Sequence, residues 1–123
     1  MQTEFEFTLP KGYLDAEGNV HRQGVMRLAT AMDEITPLRD ARVRSNPAYA
    51  TVIILARVMT QLGALEAVTP TVIERLFACD LNYLQKFYRR INELEDLLES
   101  NASAPDTSPP APAAPAAPLK LSQ

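Results

Sequence analysis

The hydrophobic period of this chain changes once, near Thr30, and that change constrains the fold more than any motif. Before it, Phe5, Phe7 and Leu9 alternate with Glu4, Glu6 and Thr8, the two-residue period of a strand with one buried face. Pro10, which cannot donate to a ladder, is expected to end that strand. A second run places Val20, Met26 and Leu28 on one face, with Gly24 as a plausible bulge. Lys11 to Asn19, rich in Gly, Asp and Asn, supplies the turn between them. Residues 1–29 thus read as a β-hairpin. A two-stranded hairpin is marginal in water, so it must lie on the rest of the chain or join a sheet from another molecule.

From Thr30 onward the apolar residues recur at three- and four-residue steps. Thr30 followed by Asp33 and Glu34 resembles a helix start with acids in the first turn. Thr36-Pro37 starts a second short piece, and Asn46-Pro47 opens a longer one. There, Val52, Leu55, Ala56, Met59 and Leu62 keep helical spacing, and Gly63 is a natural stop. The β-branched run Thr51 to Ile54 would also suit a strand, but the length and the start and stop signals favour a helix. Thr69-Pro70 begins a short helix, and Asp80 is expected to cap a long one. That last helix carries the stripe Leu84, Phe87, Ile91, Leu94 and Leu98. Glu93, Glu95, Asp96 and Glu99 crowd its end against the helix dipole, so it is expected to fray there. The expected fold class is α+β, mostly α: the hairpin, then a helical body of three to four helices over residues 30–100.

Residues 101–123 contain six of the ten prolines and seven alanines but no aromatic residue. Such a composition cannot offset its chain entropy by burial, and a disordered Pro/Ala-rich tail is expected. Through residue 100 the chain holds 11 Lys and Arg against 14 Asp and Glu, which argues against a nucleic-acid footprint. Arg39, Arg42 and Arg44 are interleaved with Asp33, Glu34 and Asp40, the pattern of a solvated helix face. The start MQTEFEFTLP is unlike a signal peptide, and the longest apolar run is too short to span a bilayer. With one cysteine, no disulfide framework can form. A cytoplasmic protein is expected, with no membrane, nucleic-acid or small-molecule partner.

The stretch LPKGYLDAEGNVHRQ concentrates the candidate chemistry, placing Asp15, Glu17, Asn19 and the single histidine, His21, around a glycine. As a calcium loop starting at Asp15, it has Val20 where the turn glycine belongs and Met26 where the bidentate glutamate belongs. As a zinc site it lacks a second nitrogen or sulfur ligand. His21 has no nucleophile to serve, and a polar surface residue of the turn is the better reading. Cys79 beside Asp80 lacks the electropositive surroundings of a reactive thiol and reads as a small buried hydrophobe. Tyr83, Phe87 and Tyr88 with Lys86, Arg89 and Arg90 resemble an aromatic-basic surface, but Phe87 belongs to the apolar stripe. No catalytic residue, metal ligand or cofactor is assigned, and no enzyme is expected.

The segments FTLPKGYLDAEGNVHRQGVMRLATAMDEI, SNPAYATVIILARVMTQLGAL and VIERLFACDLNYLQKFYRRINELE, in this order, resemble small phage tail assembly proteins of contractile tails and phage-derived contractile injection systems. The resemblance covers roughly residues 3 to 95 and leaves out the tail. It implies a tail assembly chaperone or small baseplate-associated factor that binds tube, tape-measure, hub or baseplate proteins by shielding their assembly surfaces. Phe5, Phe7, Leu84, Phe87, Ile91, Leu94 and Leu98 are the implied partner-binding residues, although they suit a core equally well. A structural baseplate or tube-cap subunit retained in the particle is the alternative. A small adaptor bound through its Pro-rich tail is weaker, because Ala104 to Pro112 has no basic-flanked PxxP.

Overall fold

A computed structural model describes residues 1–93. The expected tail, Leu94, Leu98 and, of the acidic helix end, Glu95, Asp96 and Glu99 lie outside the described residues. Strands β1 (Glu4–Leu14) and β2 (Val20–Arg27) form the antiparallel hairpin, pairing Phe5 with Met26 and Phe7 with Gly24. A third strand, β3 (Met59–Leu62), pairs antiparallel with β2 and gives the order β1-β2-β3. The fold is α+β, but its sheet has three strands where two were expected.

Met59 and Leu62 were expected on a helix. The helix α3 (Ala50–Val58) stops before them, and Met59 leaves helical geometry at φ −83°, ψ 108°. Burial decides between the two conformations. Met59 and Leu62 are both buried, and as strand residues they extend the apolar side of the sheet beside Met26. Pairing also satisfies one edge of β2, which removes the marginality of a free hairpin.

β1 does not end at Pro10. Its register with β2 shifts between Thr8 and Tyr13 and then resumes at Tyr13–His21 and Leu14–Val20. Pro10 lies inside that irregular stretch of an edge strand, where the ladder demands no donor. Val20 falls beyond the shift and is exposed rather than on the buried face with Met26. Gly24 is not a bulge but a regular partner of both Phe7 and Leu62. Its missing side chain makes room: a Cβ there would sit 2.5 Å from the Phe7 ring and 2.5 Å from the Gln61 carbonyl oxygen.

Among the described residues there are five α-helices, where three to four were expected for the chain. α1 (Ala31–Ile35), α2 (Ala41–Ser45) and α4 (Pro70–Glu74) are each five residues long, and α5 (Ala78–Asn92) has 15. Short 3₁₀ turns at Thr36–Arg39 and Pro47–Tyr49 carry the expected prolines at their starts. Asn46 and Thr69 act as N-caps, accepting from the Ala48 and Val72 N–H groups. Leu9, Met26, Leu55, Val58, Leu62, Ile73 and Leu84 form the centre of one core shared by the hairpin and the helices. Residues 1–92 accordingly form one compact unit.

Candidate functional site

Two carboxylates hold the sheet to the helices: Asp80 departs from its expected role as a cap, whereas Asp33 keeps its expected place in the first turn of α1 and takes on a second role there. Asp80 does not stand before α5 as a cap. It lies in the helix's first turn, fully buried, and its carboxylate oxygens accept from the backbone N–H groups of Lys11 (2.8 Å) and Gly12 (2.9 Å). The irregular stretch of β1 turns these two donors away from β2, and Asp80 replaces the ladder partners they lack.

Asp33 is buried rather than on a solvated face. Arg27 reaches it through two guanidinium nitrogens at 2.7 and 3.0 Å, and Arg57 through Nε at 3.0 Å. Its carboxylate also accepts from the Thr30 N–H, which joins the α1 start to β2 and α3. Hydrogen bonding from Arg27 is the largest influence holding the Asp33 carboxyl far below the ordinary carboxylate range, against its burial. Asp40 by contrast stays at the surface, where it caps α2 and pairs with Arg42.

The hairpin tip is ordered by a local network. Asp15 accepts from the N–H groups of Glu17 and Asn19 and bonds His21 Nε2 at 2.9 Å. The bond to His21 is the main reason the Asp15 carboxyl is lowered to about 2. On its other side, His21 Nδ1 accepts from the Ala64 N–H at 3.2 Å. A neutral ring with its proton on Nε2 satisfies both contacts. His21 is therefore not a free surface residue, since its side chain is only 10% exposed and ties the tip to the segment after β3. Gly63 makes this approach possible: at φ +55°, a Cβ there would lie 2.3 Å from His21 Nδ1. Among the described residues, no group of three or more His, Cys, Asp or Glu could hold a metal ion.

Of the seven residues expected to meet a partner, Phe7, Leu84 and Phe87 lie in the core, with the Phe7 and Phe87 rings edge to face at 5.6 Å. Phe5 and Ile91 are half-buried against that core. The surface instead presents apolar residues that the expected stripe did not include. Met32, Ile35 and Leu38 follow one another at three-residue steps along α1 and the next 3₁₀ turn, and are 49%, 45% and 59% exposed. Leu14 and Val20 form an exposed cross-strand pair at the hairpin tip. Cys79 is exposed, contrary to its expected burial, because its neighbour Asp80 takes the inward position on α5. The spacing of Met32, Ile35 and Leu38 was visible in the sequence, but helical spacing alone does not tell an inward stripe from an outward one.

The backbone presents a further surface. The Leu28 N–H donates to the Thr3 carbonyl, so Thr3, Phe5 and Phe7 direct their backbone groups toward β2. Those of Glu4, Glu6 and Thr8 point to the open side of β1, an edge of the sheet. Among the described residues, the outward groups of Glu6 and Thr8 have no hydrogen-bond partner, and the Glu4 carbonyl takes only the Gln2 side-chain amide. An open groove of about 500 Å³ spans the three strands, lined by Glu6 and Thr8 of β1, Gln23, Gly24 and Val25 of β2 and Gln61 of β3, with Phe7 and Tyr83.

No helix among the described residues is long and apolar enough to cross a membrane. No family model matches the chain, and neither the curated proteins nor the solved structures contain a match to it.

Proposed function

We propose that this chain is a non-enzymatic assembly factor for a contractile phage-tail-like structure, acting in the cytoplasm on tube, tape-measure, hub or baseplate proteins. The observation that carries a protein-binding role is the apolar ridge of Met32, Ile35 and Leu38, three large side chains each about half exposed. Large apolar side chains exposed at successive three-residue steps offer a surface that another protein can cover. The order of segments from FTLPKGYLDAEGNVHRQ to VIERLFACDLNYLQKFYRR, with its resemblance to small tail assembly proteins, supports the choice of partner.

In this reading the ridge covers an assembly surface on a tail protein until that protein joins the growing structure. The test is co-expression with the tail proteins encoded beside this chain, followed by affinity capture and mass spectrometry of captured complexes and of finished particles. Capture of a tail protein by the native chain, its loss with Leu38→Lys, and absence of the chain from particles are expected. Recovery from particles at fixed stoichiometry would instead make the chain a structural baseplate or tube-cap subunit. Failure to capture any tail protein would refute both assignments.

A further inference from the structure

We propose that the open edge of β1, from Glu4 to Thr8, is a docking site for an extended segment of another protein that carries basic residues at alternate positions. The inference goes beyond the ridge and holds whether or not the partner belongs to a phage tail. Three features support it.

The edge offers unused main-chain bonding. Glu6 and Thr8 present both N–H and C=O outward, and Glu4 presents its N–H. An incoming strand of about five residues, roughly 17 Å long, would pair with them as a fourth strand. The edge is open only over this length. Beyond it, Asp80 of α5 occupies the Lys11 and Gly12 donors and ends the template.

Charge selects the occupant. Glu4 and Glu6 are exposed on the outer face of the sheet, and among the described residues neither makes an ion pair. Arg27 stands directly across from Glu4 in the register, but its guanidinium is committed to Asp33. Lys or Arg at alternate positions of an added strand would stand beside these carboxylates on the same face. A second copy fits the edge poorly. Pairing two β1 edges antiparallel about Glu6 sets Glu6 against Glu6, and like charges directly opposite are destabilising; pairing them about Phe7 sets Glu4 against Pro10, which has no N–H to donate.

The inward positions of the added strand also find apolar surface. Phe5 of β1 is half-buried against the core, as is Tyr83 of α5, whose ring lies 6.5 Å from that of Phe7. Apolar residues alternating with the basic ones would extend the core by one strand. Edge strands that remain single are commonly protected by charge, and here the protecting charge has one sign, which converts a barrier to self-pairing into a filter for basic strands.

The test titrates the full chain with a synthetic peptide alternating Lys and Val, and with its Glu/Val counterpart, while following backbone amide shifts and hydrogen exchange by NMR. The Lys/Val peptide is expected to bind, to slow exchange at Glu6 and Thr8, and to weaken at least tenfold as salt rises. Charge reversal with Glu4→Lys and Glu6→Lys, both at exposed positions, should weaken it at least tenfold and turn preference to the Glu/Val peptide. Glu6→Pro, which removes an outward donor that the β1–β2 ladder does not use, should abolish binding while the dispersion of core resonances persists. Absence of shifts at Glu4 to Thr8 with millimolar peptide, or binding indifferent to charge reversal, would overturn the proposal. So would sedimentation showing a dimer of the native chain that Glu6→Pro dissolves, because the edge would then belong to a second copy.

Discussion

Replacing Asp80 with alanine should be among the most damaging single changes outside the apolar core. The carboxylate accepts from two backbone donors, and their two environments differ. Lys11 is exposed, so water can recover part of what its N–H loses; Gly12 is buried, and its N–H would be left without a partner. An unsatisfied buried donor costs about 1–3 kcal/mol, with bonds to a charged acceptor at the upper end. Taking about 1 kcal/mol for Lys11 and about 2–3 for Gly12 gives a loss of roughly 3–4 kcal/mol for Asp80→Ala. For a folded unit of this size each kcal/mol lowers Tm by about 4–8 °C, so the variant should melt roughly 12–30 °C lower. Asp80→Asn keeps one acceptor oxygen but turns an NH₂ toward the other donor, and should fall between native and alanine. Calorimetry gives the Tm values, and amide exchange at Lys11 and Gly12 locates the damage. If Asp80→Ala melted within about 4 °C of the native chain and both amides kept their protection, the assignment of Asp80 as the anchor of β1 to α5 would be wrong.

The Asp33 network predicts the acid limb of stability. Its folded-state pKa lies below the unfolded value, so the contribution is complete above the unfolded pKa of about 4 and is lost as pH falls through the folded value. Asp15, lowered to about 2, acts in the same direction. Urea midpoints should therefore drop between about pH 4 and about pH 2, and Asp33→Asn should flatten that drop while lowering the midpoint at about pH 6. His21→Ala should lower Tm modestly and release the Ala64 amide to exchange, with little change at Gly12. Gly63→Ala, which drives a Cβ into the imidazole, should reproduce that exchange pattern.

The local chemistry of starts, stops and turns was legible in the sequence. Asn46-Pro47 and Thr69-Pro70 open helical segments, and Phe5, Phe7 and Leu9 alternate on β1 as their spacing required. What sequence alone did not reveal depends on distant partners. Met59 and Leu62 suit a helix by spacing, but β2 offers them a pairing edge and a buried face, and that tertiary gain outweighs local preference. Asp80 looks like a cap because caps are the commonest use of an aspartate at a helix start. Its partners are Lys11 and Gly12, 69 and 68 residues away, and no local pattern encodes that separation.

The same reasoning explains why the expected binding residues and the exposed ones differ. A stripe such as Leu84 and Phe87 signals a helix face that must be covered, and in this fold the sheet covers it, with Phe7 against Phe87. Once the strongest apolar stripe has been used for the core, recognition falls to what folding leaves unpaired. Here that means an apolar ridge whose spacing does not say that it faces outward, and main-chain donors and acceptors that no residue type announces. The alternation of Glu4 and Glu6 with Phe5 and Phe7 thus does two jobs on one strand. Its aromatic side anchors β1 to α5, and its acidic side sets the charge of the edge that the core leaves open.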